Sequence, residues 1–215
     1  EESTSENANP LSDLGEALRD SIRHHLVSDV PVGVFLSAGL DSCTIAGLVS
    51  ELGGDLRTIT LGFEEYLGMH QDEVPDAELV ARHFGACHRS ERVDEADFLL
   101  SCDSLVESMD QPTVDGVNMY FVCRAAHRSG LKVALSGVGG DELFGGYKNF
   151  HQLPSLQRRL SFIGGFPRLG KLLRIVSSPM IRRMTSLKYA GVLEYGGTLG
   201  GVYFLRRGLF MPWEL

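Results

Sequence analysis

Val32-Gly33-Val34-Phe35-Leu36 running into Ser37-Ala38-Gly39-Leu40-Asp41-Ser42 is the stretch on which the fold turns. A continuous apolar run of this kind reads as a strand buried on both faces. It stops at a small-residue turn, and Asp41 and Ser42 then open an apolar segment with helical spacing that continues from Cys43 to Leu52 and ends at Gly53-Gly54. Backbone N–H groups at a helix N-terminus make a ready anion site, so a phosphate group is the natural guest. Asp41 would repel that phosphate directly, which points to a bridging Mg²⁺, while Ser42 adds a hydroxyl at the helix entrance. The plainer alternative is an ordinary strand–turn–helix corner with a capping Ser or Asp.

Working outward, Leu11 to Asp29 carries Leu14, Ala17, Leu18, Ile22 and Leu26 at amphipathic spacing, with Ser12 as its expected N-cap. Glu1 to Pro10 is polar and reads as a disordered linker or remnant. Downstream, Arg57 to Phe63 is a second strand, and Glu64 to Val74 a mobile surface loop. Pro75 to Phe84 is a helix stopped by Gly85, and His88 to Val93 a third strand. Asp94 caps a helix reaching Met109, Asp110 to Asn118 is a loop, and Tyr120 to Arg128 is a helix ended by Gly130. Leu131 to Leu135 is a fourth strand. Strands alternating with helices predict an α/β fold, an open parallel twisted sheet with flanking helices. Ligands of such sheets lie at the carboxyl ends of the strands.

At 215 residues the chain can hold one α/β domain with a substantial core, with or without a smaller appendage. No apolar run approaches the ~20 residues that span a bilayer, and no signal-peptide pattern opens the chain. Cys43, Cys87, Cys102 and Cys123 show neither paired nor metal-ligand spacing, so reduced thiols in a cytoplasmic protein are expected. The net charge of −8 is unevenly spread: residues 1–150 hold 10 Lys and Arg against 26 Asp and Glu, and residues 151–215 hold 10 against 2. Without a stacking platform or basic repeat, this tail does not read as nucleic-acid binding; its cations are expected to face solvent or a docking surface. Helical patterns at Leu169–Ile175 and Val202–Leu209 are broken by Gly164-Gly165, Pro167, Pro179 and Gly196-Gly197.

The fourth strand leads into Ser136-Gly137-Val138-Gly139-Gly140-Asp141-Glu142-Leu143-Phe144-Gly145-Gly146-Tyr147, a second small-residue loop with two carboxylates. Neither a G-x-x-x-x-G-K-[ST] nor a dinucleotide-binding G-x-G-x-x-G is present.

Ser37 to Ser42 resembles the pyrophosphate loop of the ATP pyrophosphatases, usually S-G-G-x-D-S. Val133 to Gly137, Asp141-Glu142 and Gly145-Gly146-Tyr147 resemble the second signature of asparagine synthetases. The pair covers roughly residues 11–150 and points to the synthetase domain of glutamine-dependent asparagine synthetases and their β-lactam synthetase relatives, continued by a basic helical segment, 151–215. The resemblance implies that ATP activates a carboxylate as an acyl-adenylate, releasing pyrophosphate, and that ammonia then forms an amide. It places Ser37, Gly39, Leu40, Asp41 and Ser42 on the pyrophosphate, Leu36 and Leu61 near adenine and ribose, and Ser136 and Gly137 on the nucleotide. Asp41 and Asp141 would hold Mg²⁺ and serve catalysis.

Two departures stand out. Ala38 replaces the usual second Gly, where a methyl is tolerable only at φ < 0, and Val138 stands where relatives often carry an acidic residue. The expected partners are an aspartate-like carboxylate and ammonia from a glutaminase domain outside this chain, with a homodimer as an admissible assembly and no membrane. The chain is read as a fragment ending before later catalytic residues of the family. A nucleotide-binding module without catalysis, and an amidotransferase acting on another carboxylate such as a uronic acid, remain the alternatives.

Overall fold

A computed structural model describes residues 9–111, 113, 115–162, 167–184 and 186–214. The linker expected before Asn9, Pro112 of the expected loop, and Gly164-Gly165 lie outside the described residues. The chain divides into two compact units, one ending at Val138 and the other beginning at Gly139.

The first unit runs α1 (Pro10–His25), β1 (Val32–Phe35), α2 (Leu40–Glu51), β2 (Arg57–Phe63), α3 (Val74–His83), β3 (Cys87–Val93), α4 (Glu95–Glu107), α5 (Gly116–Arg128) and β4 (Val133–Leu135). The four strands are all parallel, in the order β3-β2-β1-β4. Val34 is level with Thr58 on one side and Leu135 on the other. The chain therefore steps outward from β1 to β2 to β3, then returns through α4 and α5 to lay β4 against the far side of β1. Strand order reverses between β1 and β4, and that switch point is where an open α/β sheet leaves a crevice for a ligand.

Period-two alternation assigns the two faces. Val34 and Leu36 pack with Ile22 of α1, Ala46 and Val49 of α2, and Ala77 and Ala81 of α3. Phe35 and Ile59 point the other way, onto Ala125 and Ala126 of α5, while Leu61 and Phe63 join Leu105 of α4 and Phe121 of α5. Helices thus cover both faces, as the unbroken apolar run of β1 requires.

Element boundaries shift where local chemistry outweighs periodicity. α1 is capped by Asn9, whose side-chain oxygen accepts from the Leu11 N–H at 3.3 Å, and not by Ser12. Pro10 can begin the helix because the N–H it lacks would have had no intrahelical partner. β4 begins at Val133, two residues late, because the Leu131 N–H closes the end of α5 on the Ala126 carbonyl. The segment after β2, expected to be a mobile loop, contains a 3₁₀ turn at Glu64–Tyr66 and is tied down by Asp72. The Asp72 carboxylate accepts from Arg92 at 2.9 and 3.1 Å and from the Val74 N–H at the start of α3.

Side-chain hydrogen bonds link several elements of this unit. Ser90 donates to Glu78 at 3.0 Å, so the His88 Nε2–H donates to Ser90, and in the neutral ring His88 Nδ1 accepts from Thr58, 2.8 Å away. Burial pushes the His88 imidazole below its ordinary pKa, which favours this neutral arrangement. Arg124 of α5 holds the Asp97 carboxylate of α4 through two bonds, donates to Ser101 at 2.8 Å, and lies over the Phe121 ring at 4.6 Å.

The second unit is helical: α6 (Gly140–Phe144), α7 (Lys148–Leu160), α8 (Pro167–Met184), α9 (Val192–Tyr195) and α10 (Leu199–Arg207). Leu153, Ala190, Val202, Leu205 and Met211 are its buried apolar residues. α8 continues through Pro179, which was expected to break it. A mid-helix Pro removes one backbone bond, and Ser178 adds a side-chain bond to the Arg174 carbonyl one turn back. Arg158, Arg159, Arg168, Lys171, Arg206 and Arg207 are exposed. Arg174 differs: it pairs with Glu194 at 2.8 Å and lies 4.3 Å over the Trp213 ring. Among the described residues, no helix is long and apolar enough to cross a membrane.

Candidate functional site

At the switch point the chain leaves β1 through Leu36. Its N–H still donates to the Ile59 carbonyl at 2.9 Å, and its own carbonyl accepts from the Thr60 hydroxyl at 2.6 Å. Leu36 is buried in the core, so it can offer a ligand only the second lone pair of its carbonyl. Ser37 is exposed. Ala38 then turns the chain at φ 58°, and Gly39 is the N-cap of α2 at φ −70° and ψ 157°.

The positive φ at Ala38 overturns the expectation that a side chain there requires φ < 0. Alanine in the left-handed region costs roughly 1–2 kcal/mol; the methyl offsets part of this by packing against the cluster around Leu36 and Ala46.

Ser42 braces the turn from within. It is buried, accepts from the Ser37 N–H at 3.2 Å, donates to the Gly39 carbonyl at 3.1 Å, and its oxygen lies 3.2 Å from the Ser37 hydroxyl. The N–H groups of Ala38, Gly39, Leu40, Asp41 and Ser42 have no acceptor among the described residues. That row of open donors at the start of a 12-residue helix is the electrostatic requirement for an anion. Leu40 is 83% exposed in the first turn, leaving the approach uncovered, and Asp41 is half-buried beside it.

β4 supplies the other wall. Ser136 is exposed, and its hydroxyl accepts from the Val138 N–H at 3.3 Å. A Cβ placed on Gly137 would lie 3.0 Å from both the Asp41 Cβ and the Ser42 nitrogen, so a side chain there would press against the head of α2. Leu61 lies further along β2, half-buried with the Phe63–Phe121 cluster. Leu36, Ser37, Gly39, Leu40, Asp41, Ser42, Ser136 and Gly137 thus lie at or just beyond the carboxyl ends of β1 and β4, with Gly137 against Asp41 and Ser42.

Asp141 belongs to the second unit, inside the first turn of α6. The N-cap there is Gly139, without a side-chain bond, so Asp141 is not the cap of this helix. Its carboxylate lies against the Gly145-Gly146 exit of the helix: a Cβ on Gly146 would lie 2.0 Å from Asp141 Oδ1. Neighbouring Glu142 accepts from the Tyr147 hydroxyl at 2.9 Å.

The donors present fit a triphosphate with Mg²⁺. Open backbone N–H groups and the glycine-lined space at Gly137 suit phosphate oxygens. No group of three or more His, Cys, Asp or Glu side chains among the described residues forms a metal cage. A partly exposed Asp41 instead suits an ion that takes one or two carboxylates and completes its shell with phosphate and water.

Thr60 and the Asp72–Arg92 pair shape this edge and were not singled out from sequence. The available signal was Thr58 and Thr60 within the expected second strand, since a hydroxyl buried in a sheet must find a partner.

A parallel sheet with a small-residue loop at its switch point, followed by a helix with open N–H groups, defines an α/β protein whose ligand edge is built for an anion. The chain belongs to the asparagine synthase family, which it matches over residues 13–194. It is 35% identical over 149 residues to asparagine synthetase [glutamine-hydrolyzing] 1 of Bacillus subtilis, covering 68% of this chain and 23% of that protein. It is 30% identical over 168 residues to asparagine synthetase B [glutamine-hydrolyzing] of Escherichia coli, covering 70% and 29%. It is 31% identical over 161 residues to asparagine synthetase [glutamine-hydrolyzing] 2 of Oryza sativa, covering 68% and 26%. The chain thus spans about a quarter of the length of these relatives.

Proposed function

We propose that this chain is the nucleotide-binding core of the synthetase part of an amide ligase that consumes ATP, releases AMP and pyrophosphate, and converts aspartate to asparagine. Support comes from membership of the asparagine synthase family and from the names of its relatives. The observation that carries the reading is the row of open N–H groups at residues 38–42, at the head of α2 and beside Gly137.

In this reading the Ala38–Ser42 N–H groups hold the pyrophosphate portion of ATP, with Ser37 at the rim and Ser42 keeping the loop in shape. Leu36 and Leu61 border adenine and ribose, and Ser136 and Gly137 close the nucleotide from the β4 side. The substrate carboxylate attacks the α-phosphorus, the bond to pyrophosphate breaks, and the resulting acyl-adenylate is opened by ammonia released from glutamine. Asp41 and Asp141 would be the residues to hold Mg²⁺, which when bound would supply positive charge against the departing pyrophosphate.

Aspartate-dependent exchange of labelled pyrophosphate into ATP tests the reaction, using the full-length protein that contains this chain. Exchange that requires aspartate, and is lost in Asp41→Asn, supports it. ATP binding without exchange under any carboxylate would leave a binding module and overturn the ligase reading. Asp141→Asn is expected to melt as the parent does and to lose the Mg²⁺-dependent part of ATP binding; unchanged metal dependence would remove Asp141 from the site.

A further inference from the structure

We infer that Thr60, a residue of β2 outside the loop itself, is a positioning residue that sets the orientation of the anion-binding loop by pinning the Leu36–Ser37 peptide plane.

The peptide joining Leu36 to Ser37 is where the chain stops being a strand. Both of its polar ends are held by side chains. The Thr60 hydroxyl donates to the Leu36 carbonyl at 2.6 Å, and the Ser37 N–H donates to the Ser42 hydroxyl at 3.2 Å. A peptide plane fixed at both ends cannot rotate, so ψ of Leu36 and φ of Ser37 are set before the turn at Ala38 begins. The backbone bond from Leu36 to Ile59 holds the preceding plane in the same way.

Thr60 suits this task for three reasons. It is only 2% exposed, so the bond does not compete with water. Its β-branched side chain has few rotamers on a strand. It lies 24 residues away in sequence on the neighbouring strand, so the parallel register of β1 with β2 is transmitted directly into the loop. No ladder bond could do this, because the ladder between these strands ends where the loop begins.

The binding arm of the test rests on the nucleotide reading above, and a second arm does not. In the full chain, Thr60→Val keeps shape and removes the hydroxyl, and Thr60→Ser restores it. If the parent binds Mg²⁺-ATP by calorimetry, Thr60→Val is expected to bind roughly five- to tenfold more weakly, the size of one neutral hydrogen bond. Thr60→Ser should recover most of the loss while all three proteins melt within a few degrees of one another. Equal affinity in parent and Thr60→Val overturns the inference. If the parent binds no Mg²⁺-ATP, the nucleotide reading fails, and amide hydrogen exchange at Ser37 decides Thr60 alone. Exchange at Ser37 should then speed up in Thr60→Val relative to core amides such as Ala46 and slow again in Thr60→Ser; an unchanged Ser37 rate overturns it. Thr60→Cys, whose thiol is a weak donor, replaces Val if that variant does not fold.

Discussion

Arg92, near the end of β3, holds the Asp72 carboxylate through both oxygens, and the Asp72 side chain is only 3% exposed. Hydrogen bonding from Arg92 holds the Asp72 carboxyl below its ordinary range. Breaking one partner leaves the other buried and uncompensated. Arg92→Met is therefore expected to lower the melting temperature more than the Arg92→Met, Asp72→Asn double variant does. Equal melting of the two would show that loss of Arg92 does not leave Asp72 buried and uncompensated.

Gly137 and Gly39 make a matched pair of substitutions. Alanine at Gly137 would force the Asp41–Ser42 backbone away, an overpacking that costs about 1–3 kcal/mol, and would displace the open N–H groups. Gly39→Ala meets only the Ser37 hydroxyl at 3.3 Å, on a backbone any residue adopts. Mg²⁺-ATP affinity by calorimetry is expected to fall at least about tenfold in Gly137→Ala and far less in Gly39→Ala. The reverse order would place the nucleotide elsewhere.

Ala38 sits at φ 58° with its methyl against the core. Ala38→Gly relieves strain of roughly 1 kcal/mol, but adds chain entropy of about 0.4–1 kcal/mol to the unfolded state and gives up the methyl contact. The net effect on thermal unfolding is expected within about 1 kcal/mol of zero. Ala38→Val keeps the strain and adds a branch that the left-handed region rejects, so it should melt clearly lower. Equal melting of Ala38→Val and the parent would mean that the turn has another conformation in solution.

Hydrogen bonding from Arg124 holds the Asp97 carboxyl below the ordinary range. The unfolded chain binds its proton near pH 4, whereas folded Asp97 resists protonation until lower pH. In that window the unfolded state carries more protons, so stability rises with pH. The contribution is complete above the unfolded pKa and is lost as pH falls through the folded one. Denaturant unfolding from pH 6 downward should show this loss in the parent and a shallower acid limb in Asp97→Asn; parallel limbs would remove Asp97 as a source.

Strands were legible where a single local property defined them. Arg57–Phe63 coincides with β2 because Thr58, Ile59, Thr60 and Phe63 are residue types that favour a strand. The two loops at the switch point were legible because small residues cluster after strands. Long-range partnerships were not: Thr60 meets Leu36 across 24 positions, Arg92 meets Asp72 across 20, and Thr58 meets His88 across 30. Each depends on strand order and register, which periodicity does not encode. Ala38 shows the opposite limit. The residue type argued for φ < 0, but the turn geometry fixed its conformation and the core contact made the exception tolerable.

Trp213, stacked beneath the Arg174 guanidinium and 5.3 Å from Tyr195, is the single tryptophan of the chain. Its emission on selective excitation therefore comes from the second unit alone, with a cation against the indole face as the quenching and shifting influence. The sheet-bearing unit has no indole. An optical melt at the tryptophan wavelength consequently watches the second unit alone, whereas a circular-dichroism melt of the same sample sums over both, and any gap between the two curves measures how independently the units unfold.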